Sequence, residues 1–300
     1  MRRPLALLAT VLSLAALPAR AGEPLDLELS QLGAPRASLW TSSGVAQAGA
    51  ARVDFARLAT GLALGLTSTL LEPASTTGAD GWDAAFEAAN TPVSVASKAW
   101  RNPDNQPSSL VTPSIHLRKA FPYSVEVGGR LVYLSRSQYY ASQLSLKWAF
   151  LEGFARLPDV AVRVAYTRMD GVADLALSTT ELDLLASHRF GVNAIFSLTP
   201  YLGLRYAKMR ASTRALQFAA YPAPPGDPGV ASAAFPTLDT GLFRTTLGGR
   251  MTAYALSLAA ELTYFGGVTG GGSSSTDESA YPRHKVPSSL AAALRLGFEF

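Results

Sequence analysis

Ser114 and His116 are the side chains in this sequence best placed for nucleophilic chemistry. They are two residues apart on an alternating segment, so both project from one face of an extended strand. A serine beside a histidine can carry out acyl transfer when a carboxylate orients the imidazole ring. A pair that only packs inside the protein is the alternative, and we favour it. An enzyme would require a carboxylate within hydrogen-bond reach of His116.

The other two histidines are weaker candidates. His188 follows Ser187 near the end of a predicted strand and is expected on an interfacial face rather than in a site. His284 lies in the basic run from Tyr281 to Lys285. An ordinary exposed loop is favoured there over a contact with phosphate groups.

Metal and cofactor sites have little support. No two histidines have helical or hairpin spacing, and the chain has no cysteine. The adjacent acids Asp277 and Glu278 could bind calcium weakly, but such a pair in a serine-rich loop is usually solvated. The glycine-rich run 266–275 lacks the GxxxxGK context of a phosphate loop. We predict no catalytic residue, no metal and no cofactor.

The C-terminus indicates the class of the protein. Its apolar face consists of Leu294, Leu296, Phe298 and Phe300. On an extended strand Arg295 and Glu299 point to the opposite side. Chain ends usually fray in water, whereas a membrane barrel closes with its last strand, which must stay paired and compatible with lipid.

The chain begins with a pattern typical of a secretory signal. Arg2 and Arg3 precede an apolar run from Leu5 to Leu17, and an A-x-A site ends at Ala21. The run is shorter than the roughly 20 residues of a membrane-spanning helix. The net charge of +4 rests largely on this segment, so no nucleic-acid partner is indicated. Without cysteine there is no disulfide and no lipid-bearing residue.

Ten segments alternate between apolar and polar residues with period two. No stretch after the signal has 18 consecutive apolar residues, which excludes a helical inner-membrane protein. A composition of 48% hydrophobic and 16% charged residues is unusually apolar for an exported chain without membrane-spanning helices. Membrane strands that are apolar on one face only would explain it. For the first segment a short helix is the alternative. The predicted strands are residues 81–91, 110–119, 123–134, 141–152, 160–168, 181–187, 202–206, 243–251, 256–264 and 290–300.

Over residues 81–300 the chain resembles Gram-negative outer-membrane β-barrel proteins. The resemblance rests on the export signal, the alternating strands and the terminal Phe300. Barrels of this kind end in two hydrophobic positions that form a C-terminal assembly signal, and Phe298 and Phe300 match them. Arg295 stands where a glycine is expected.

Two internal segments, Arg118–Glu126 and Lys147–Gly153, are also similar to uncharacterised bacterial outer-membrane proteins. The resemblance implies an all-β fold, a transmembrane antiparallel up-and-down β-barrel. It also implies outer-membrane lipids, lipopolysaccharide and the barrel-assembly machinery as partners. Ser114 and His116 match neither the order nor the spacing used by the lipid-A deacylases and phospholipases of that membrane.

The connections predict the topology of about ten strands, with 8 to 12 possible. The long connections 98–109, 208–240 and 265–288 are assigned outside, and the short ones 120–122, 153–159, 191–199 and 252–254 to the periplasm. This asymmetry and an even strand number are typical of bacterial barrels. Aromatic residues then form two girdles. The outside set is Tyr133, Tyr139, Tyr140, Tyr166, Phe243, Tyr264 and Phe265. The periplasmic set is Tyr123, Phe150, Phe154, Phe190, Tyr201, Tyr254, Phe298 and Phe300.

Residues 42–71 fit two interpretations. Phe55, Leu58, Leu62 and Leu66 recur at helical spacing after a serine at 42 or 43, but leucines also share one strand face. An eleventh strand would break the even number, which favours a periplasmic or plug-like helix. A twelve-stranded barrel with a strand near 209–218 is also possible. The predicted organisation is a signal at 1–21, a partly helical N-terminal segment at 22–80 and a barrel at 81–300.

The strand faces opposite the apolar ones carry nearly balanced charge. A barrel of about ten strands has a narrow interior filled mostly by side chains, in which opposite charges pair. We therefore predict a salt-bridged, largely occluded lumen. Besides Asp83 and Glu87, the inward charges are Arg118, Glu126, Arg130, Lys147, Arg163, Glu181, Asp183, Arg205, Arg244, Arg250, Glu261, Arg295 and Glu299.

These features predict a non-enzymatic outer-membrane protein, exported by its signal peptide. The sequence fits two roles equally, a structural or surface-interaction protein and a narrow channel for small solutes. A transporter of hydrophobic compounds with an N-terminal plug is the alternative, and a gap in the barrel wall would favour it. A lipid-modifying enzyme is the third class. The sequence does not identify a ligand or an oligomeric state.

Overall fold

A computed structural model describes residues 23, 25–39, 44–67, 69–93, 98–101, 107–154, 156–192, 195–219, 230–271 and 281–300. The predicted signal at 1–21 and the serines at 42 and 43 lie outside these ranges. Two short 3₁₀ turns, Leu29–Leu32 and Ala37–Leu39, precede one α-helix, α1, over Gly44–Leu66. None of the described helices combines the length and hydropathy of a membrane span.

The rest of the described chain is mostly strand. The strands are β1 Trp82–Pro92, β2 Ser109–Phe121, β3 Val125–Tyr133, β4 Tyr140–Leu151, β5 Asp159–Asp170, β6 Leu175–Ser187, β7 Phe190–Gly191, β8 Phe196–Thr213, β9 Leu216–Ala219, β10 Val230–Ala233, β11 Leu238–Ala253, β12 Leu256–Phe265, β13 Val268–Gly270, β14 His284–Val286 and β15 Ser289–Glu299.

Ten of these strands form one closed antiparallel barrel. The order is β1, β2, β3, β4, β5, β6, β8, β11, β12 and β15, and β15 pairs again with β1. In the closing pair Asp83 faces Glu299 and Asn90 faces Ala292. The backbones of Trp82 and Phe300 exchange hydrogen bonds of 2.7 and 2.9 Å. The predicted ten-stranded barrel, closed by its C-terminal strand, is confirmed, and β7 adds a two-residue pairing to β8.

The two ends of the barrel differ in their connections. We call the end with the three long connections 93–108, 214–237 and 266–288 the loop end, which also carries the shorter connections 134–139 and 171–174, and the opposite end, where Phe300 lies, the turn end. Strand β8 continues to Thr213 while paired with β6, and β9 and β10 form a separate hairpin. Part of the predicted loop 208–240 is therefore sheet, and the interpretation of 209–218 as an additional barrel strand is wrong.

The outward face of the barrel is apolar. Burial alternates residue by residue along the barrel strands, for example from Trp82 to Pro92. Large apolar side chains occupy the exposed positions, and exposed aromatic residues concentrate at the two ends. Three of the aromatics assigned to the girdles point inward instead, because Tyr139, Tyr201 and Phe265 are at most 6% exposed.

Helix α1 fills the loop half of the barrel interior. Its alanines and leucines favour helix, and from Leu58 to its end every residue is buried, as expected of a helix inside a core. Phe55, Leu58, Leu62 and Leu66 are at most 4% exposed. Gly65 allows the close approach to β2, since a Cβ there would lie 2.8 Å from Leu110 Cδ1. The helical interpretation of residues 42–71 is confirmed over Gly44–Leu66.

The N-terminal region crosses the barrel from one end to the other. Before α1, the backbone of Leu25 bonds to Arg136 and that of Glu28 to Ala99, both at the loop end. After α1, residue 67 and residues 69–77 continue down the interior as an irregular segment, which we call the lumen segment. The chain emerges at the turn end, where β1 begins. Of the two placements expected for this region, periplasmic or plug-like, its described residues have the plug-like one, a course through the lumen.

Candidate functional site

The charged side chains predicted to line the lumen all lie inside the barrel. Each is at most 4% exposed, except that the side chain of Glu299 is 19% exposed. The inward set consists of Arg118, Glu126, Arg130, Lys147, Arg163, Glu181, Asp183, Arg205, Arg244, Arg250, Glu261, Arg295 and Glu299, with Asp83 and Glu87 beside them. The terminal Phe298 and Phe300 face outward and are 49% and 74% exposed.

Glu72 of the lumen segment is the centre of this charge network. Its carboxylate accepts hydrogen bonds from Arg118 Nη1 at 2.9 Å and from Lys147 Nζ at 3.2 Å, and it forms an ion pair with Arg163, whose Nε lies 2.9 Å away. The sequence interpretation missed Glu72, because it considered inward charges on strands only. The available signal was its position, a lone carboxylate directly after the uncharged run Leu58–Leu71.

The network continues around the wall. Glu126 pairs with Arg118 at 3.1 Å and with Lys147 at 2.9 Å. On the other side of Glu72, Asp183 pairs with Arg163 at 2.6 Å and with Arg205 at 3.3 Å. Glu181 then joins Arg205 to Arg244 on β11, at 2.9 and 3.0 Å. Buried charges are costly unless paired, and here each carboxylate meets two or more cations.

The wall also satisfies the backbone of the lumen segment. This segment has no regular secondary structure, so its carbonyl and amide groups need other partners inside the barrel. Arg244 Nη1 donates to the carbonyl of Thr67. Arg130 reaches the carbonyls of Thr69 and Leu70 at 2.9 and 3.2 Å. Further along, Lys147 Nζ donates to Pro73 and Ser75 at 3.3 and 3.2 Å.

Glu261 provides the complementary acceptor. The backbone amides of Leu70 and Leu71 both donate to its carboxylate, and Tyr201 Oη donates to it at 3.0 Å. Leu71 has a φ of 54°, and a residue in the left-handed region lets two successive amides converge on one anion. The Tyr201 ring lies across Gly248, where a Cβ would come within 2.2 Å of it.

The Ser114 and His116 pair belongs to the same buried network. His116 Nδ1 lies 3.1 Å from Glu87 Oε1, so a carboxylate does reach the histidine. Ser114 Oγ, however, donates to Glu87 Oε2 at 3.1 Å rather than to the imidazole. Arg130 Nε also pairs with Glu87, at 2.8 Å. Ser114 is 8% and His116 1% exposed, so neither is open to a substrate.

The other histidines do not form a site. His284 is 3% exposed, which makes the expected exposed loop wrong at this position. Its Nδ1 lies 3.1 Å from the carbonyl oxygen of Pro282, and its ring packs on Tyr281. His188 is half-buried at the turn end, with its ring centroid 4.7 Å from that of Phe190. Among the described residues no group of three or more potential ligands could hold a metal ion.

Comparison with known sequences finds no relative of this chain. No protein-family model matches the chain, and no curated protein does. Among solved structures, the N-terminal β-barrel domain of OprF from Pseudomonas aeruginosa has a TM-score of 0.32 at 12% identity, covering 74% of this chain and 99% of that one.

Two further barrels are similar at the same level. The translocator domain of the autotransporter NalP from Neisseria meningitidis has a TM-score of 0.36 at 11% identity, covering 81% of this chain and 94% of that chain. The outer membrane protein OprG from Pseudomonas aeruginosa has a TM-score of 0.32 at 10% identity, covering 76% and 99%. At these TM-scores the likeness says nothing about activity or ligand.

The start of the N-terminal region is anchored at the loop end by Tyr139. Its hydroxyl accepts the backbone amide of Leu27 at 2.6 Å. Burial raises the pKa of Tyr139 to about 12, and the carboxylates of Asp26 and Asp174 act in the same direction. An unfolded tyrosine ionises near pH 10. The stability contribution of this group is therefore complete below about pH 10 and is lost as the pH rises towards 12.

We expect Tyr139→Phe to lower the free energy of unfolding by about 1 kcal/mol at pH 8, because one hydrogen bond is lost and the Leu27 amide is left without its acceptor. The variant should also lose less stability than the wild type between pH 10 and 12. Urea unfolding at pH 8 measures the loss of stability, and its repetition at pH 10 and pH 12 measures the pH dependence. Tyr254→Phe, at an 82% exposed position, is the control. Identical pH profiles for Tyr139→Phe and the wild type would contradict the expectation.

Proposed function

We propose that this protein is a non-enzymatic outer-membrane barrel whose lumen is closed by its own N-terminal region. In this proposal it acts as a structural or surface-interaction protein that presents its loop end outside the cell. The observation that carries the proposal is the lumen segment. Its backbone and Glu72 are bound by buried side chains of the wall, and α1 fills the remaining half of the interior.

The outward face supports a position in a membrane. Only a closed barrel or a helix satisfies all backbone groups in lipid, and this barrel closes completely. Exposed leucines and valines form the middle of the outward face, with aromatic residues at both ends, as in outer-membrane barrels. The predicted signal peptide supplies the export route, although residues 1–21 lie outside the described structure.

The alternatives have less support. A small-solute channel needs a water path, whereas a polypeptide crosses the interior from end to end. A transporter of hydrophobic compounds would be favoured by a gap in the wall, but every neighbouring pair of the ten barrel strands is hydrogen-bonded. An enzyme would need access to Ser114 and His116, and both are buried inside the barrel.

Cysteine accessibility tests the closed lumen, because the native sequence has no cysteine. Ala74 is fully buried on the lumen segment, and Lys285 is exposed at the loop end. We expect Lys285→Cys to react rapidly with a membrane-impermeant maleimide on intact cells. Ala74→Cys should stay unlabelled on cells and on the purified, reconstituted protein.

Planar-bilayer recording gives the second measurement. The purified wild-type protein should show no steady conductance, with an open porin as the control for insertion. A large, steady, ion-selective conductance, together with labelling of Ala74→Cys as fast as that of Lys285→Cys, would show that the lumen is open to water and overturn the proposal.

A further inference from the structure

The outward face of β5, β6 and β8 changes from apolar to basic towards the loop end. In the strand register Val164, Leu182 and Tyr206 form an apolar row across the three strands. The next outward row consists of Tyr166, Thr180 and Lys208, and the row after that of Arg168, Ser178 and Arg210. Successive outward rows are two residues apart, so Arg168 lies roughly 7 Å beyond Tyr166, and Arg210 roughly 13 Å beyond Tyr206.

These basic side chains border a depression in the barrel surface. It has a volume of about 400 Å³ and is lined by Arg168, Arg210 and Arg214 together with the hydroxyl-bearing Ser178 and Ser212. Guanidinium groups bind phosphate oxygens through paired N–H donors, and hydroxyl groups can complete the set. The depression therefore offers donors of the kind that a phosphate group requires.

The local charge remains positive after the nearby acids are counted. Asp170 pairs with Arg168 at 3.3 Å, and Asp239 lies opposite Arg210 in the register. Asp174, whose carbonyl oxygen accepts the backbone amide of Arg214 at 3.3 Å, is the third nearby acid. With Lys208, four cations therefore face three acids at this edge. On the described residues of the other barrel strands, no outward lysine or arginine occurs at the loop end. The basic character is thus confined to one side of the wall.

The position of the cluster identifies its ligand. Tyr166 lies one outward row below the arginines and Tyr206 lies two rows below them, each 50% exposed, and around and below Tyr206 lie the leucines and valines that would face acyl chains. A free phosphate needs no apolar neighbour. A phosphorylated lipid needs a basic surface for its phosphate groups and, directly below it, an apolar surface for its acyl chains. Arginines just beyond an aromatic band lie at the depth of lipid head groups.

We propose that the depression bordered by Arg168, Arg210 and Arg214 binds the phosphate groups of a phosphorylated lipid in the outer leaflet, whose acyl chains lie on the apolar face of β5, β6 and β8. This inference rests on the proposed placement in the outer membrane. It does not depend on whether the lumen is closed.

Binding of a defined lipid tests the site. The full-length protein in neutral detergent is titrated with bisphosphorylated lipid A and, in parallel, with the same lipid after removal of both phosphates. We expect the wild type to bind the phosphorylated lipid at least tenfold more tightly, since 1.4 kcal/mol corresponds to a factor of ten and charge-assisted bonds from arginine commonly exceed that. Inorganic phosphate at about 10 mM should compete only weakly, because it lacks the acyl chains.

The combined variant R168Q, R210Q and R214Q should lose this preference while keeping the affinity for the dephosphorylated lipid. The control variant R283Q and K285Q removes exposed basic residues at the same end of the barrel, and it should bind as the wild type does. Retained heat-modifiable migration on gels shows that both variants fold.

Three outcomes would overturn the site. They are equal binding of both lipids by the wild type, an unchanged preference in the triple variant, and loss of preference in the R283Q and K285Q control. Full competition by inorganic phosphate would reassign the site to a free anion. Recording conductance on the same samples separates this result from the closed-lumen proposal, because the triple variant should remain non-conducting.

Discussion

Replacement of Glu72 by glutamine should lower the free energy of unfolding by about 3 to 5 kcal/mol, the cost of breaking a buried ion pair by removing one partner. Glu72 is 2% exposed and is the shared acceptor of Arg118, Lys147 and Arg163. Glutamine preserves the shape but leaves three buried cations short of one negative charge. Urea unfolding in lipid vesicles, followed by tryptophan fluorescence, measures the loss.

Glu28→Gln is the matched control for this substitution. Glu28 is exposed at the loop end and bonds only to the side chain of Gln31 through its carboxylate among the described contacts. Its replacement should change stability by less than about 0.5 kcal/mol. If Glu72→Gln unfolds at the same urea concentration as Glu28→Gln, the lumen segment is not held by this network.

The second large effect is expected at Phe55, in the middle of α1. Its ring is fully buried, with centroid distances of 4.7 Å to Phe235 and 6.3 Å to Tyr281. Phe55→Ala removes the stacked ring and leaves a cavity, for which we expect a loss of about 3 to 5 kcal/mol. The helix should also detach first at the loop end, where those two aromatic residues lie.

Val45→Ala is the control within the same helix, because the side chain of Val45 is 41% exposed and contributes little to the packing of the interior. Limited proteolysis of intact cells reports where the loss occurs. Cleavage within α1 should accelerate in Phe55→Ala and stay unchanged in Val45→Ala. Equal stability and equal cleavage of both variants would show that α1 does not depend on the Phe55 contacts.

The barrel could be predicted because its signal is local and repeated. Each strand alternates between apolar and polar residues, because one face of the barrel wall is apolar and the other lines the charged interior along the whole strand. The terminal strand from Leu290 to Phe300 illustrates this, since one residue of slip would turn Arg295 towards the apolar side. The described structure has the ten strands at the predicted positions, although their ends differ by up to seven residues, most of all where the predicted strand 202–206 is Phe196–Thr213.

The contents of the barrel could not be predicted in the same way. The pattern at residues 42–71 identified a helix but not its surroundings, because the same apolar residues suit any dry environment. Glu72 has no local partner, and its three cations come from β2, β4 and β5, between 46 and 91 residues away along the chain. Such contacts appear only when the wall has closed. The boundaries of the signal and of the N-terminal segment at 21 and 80 stay predictions.

The course of the chain through the middle of the barrel has a consequence for biogenesis. The region before β1 is bonded to the rim at Arg136 on one side and enters β1 at the opposite rim, and it fills the bore between them. The wall side chains that bind it lie on strands from β2 to β12, all of which follow it in the chain. During synthesis the N-terminal region is therefore made before any of these partners, and its buried charge is neutralised only after most of the sheet has assembled.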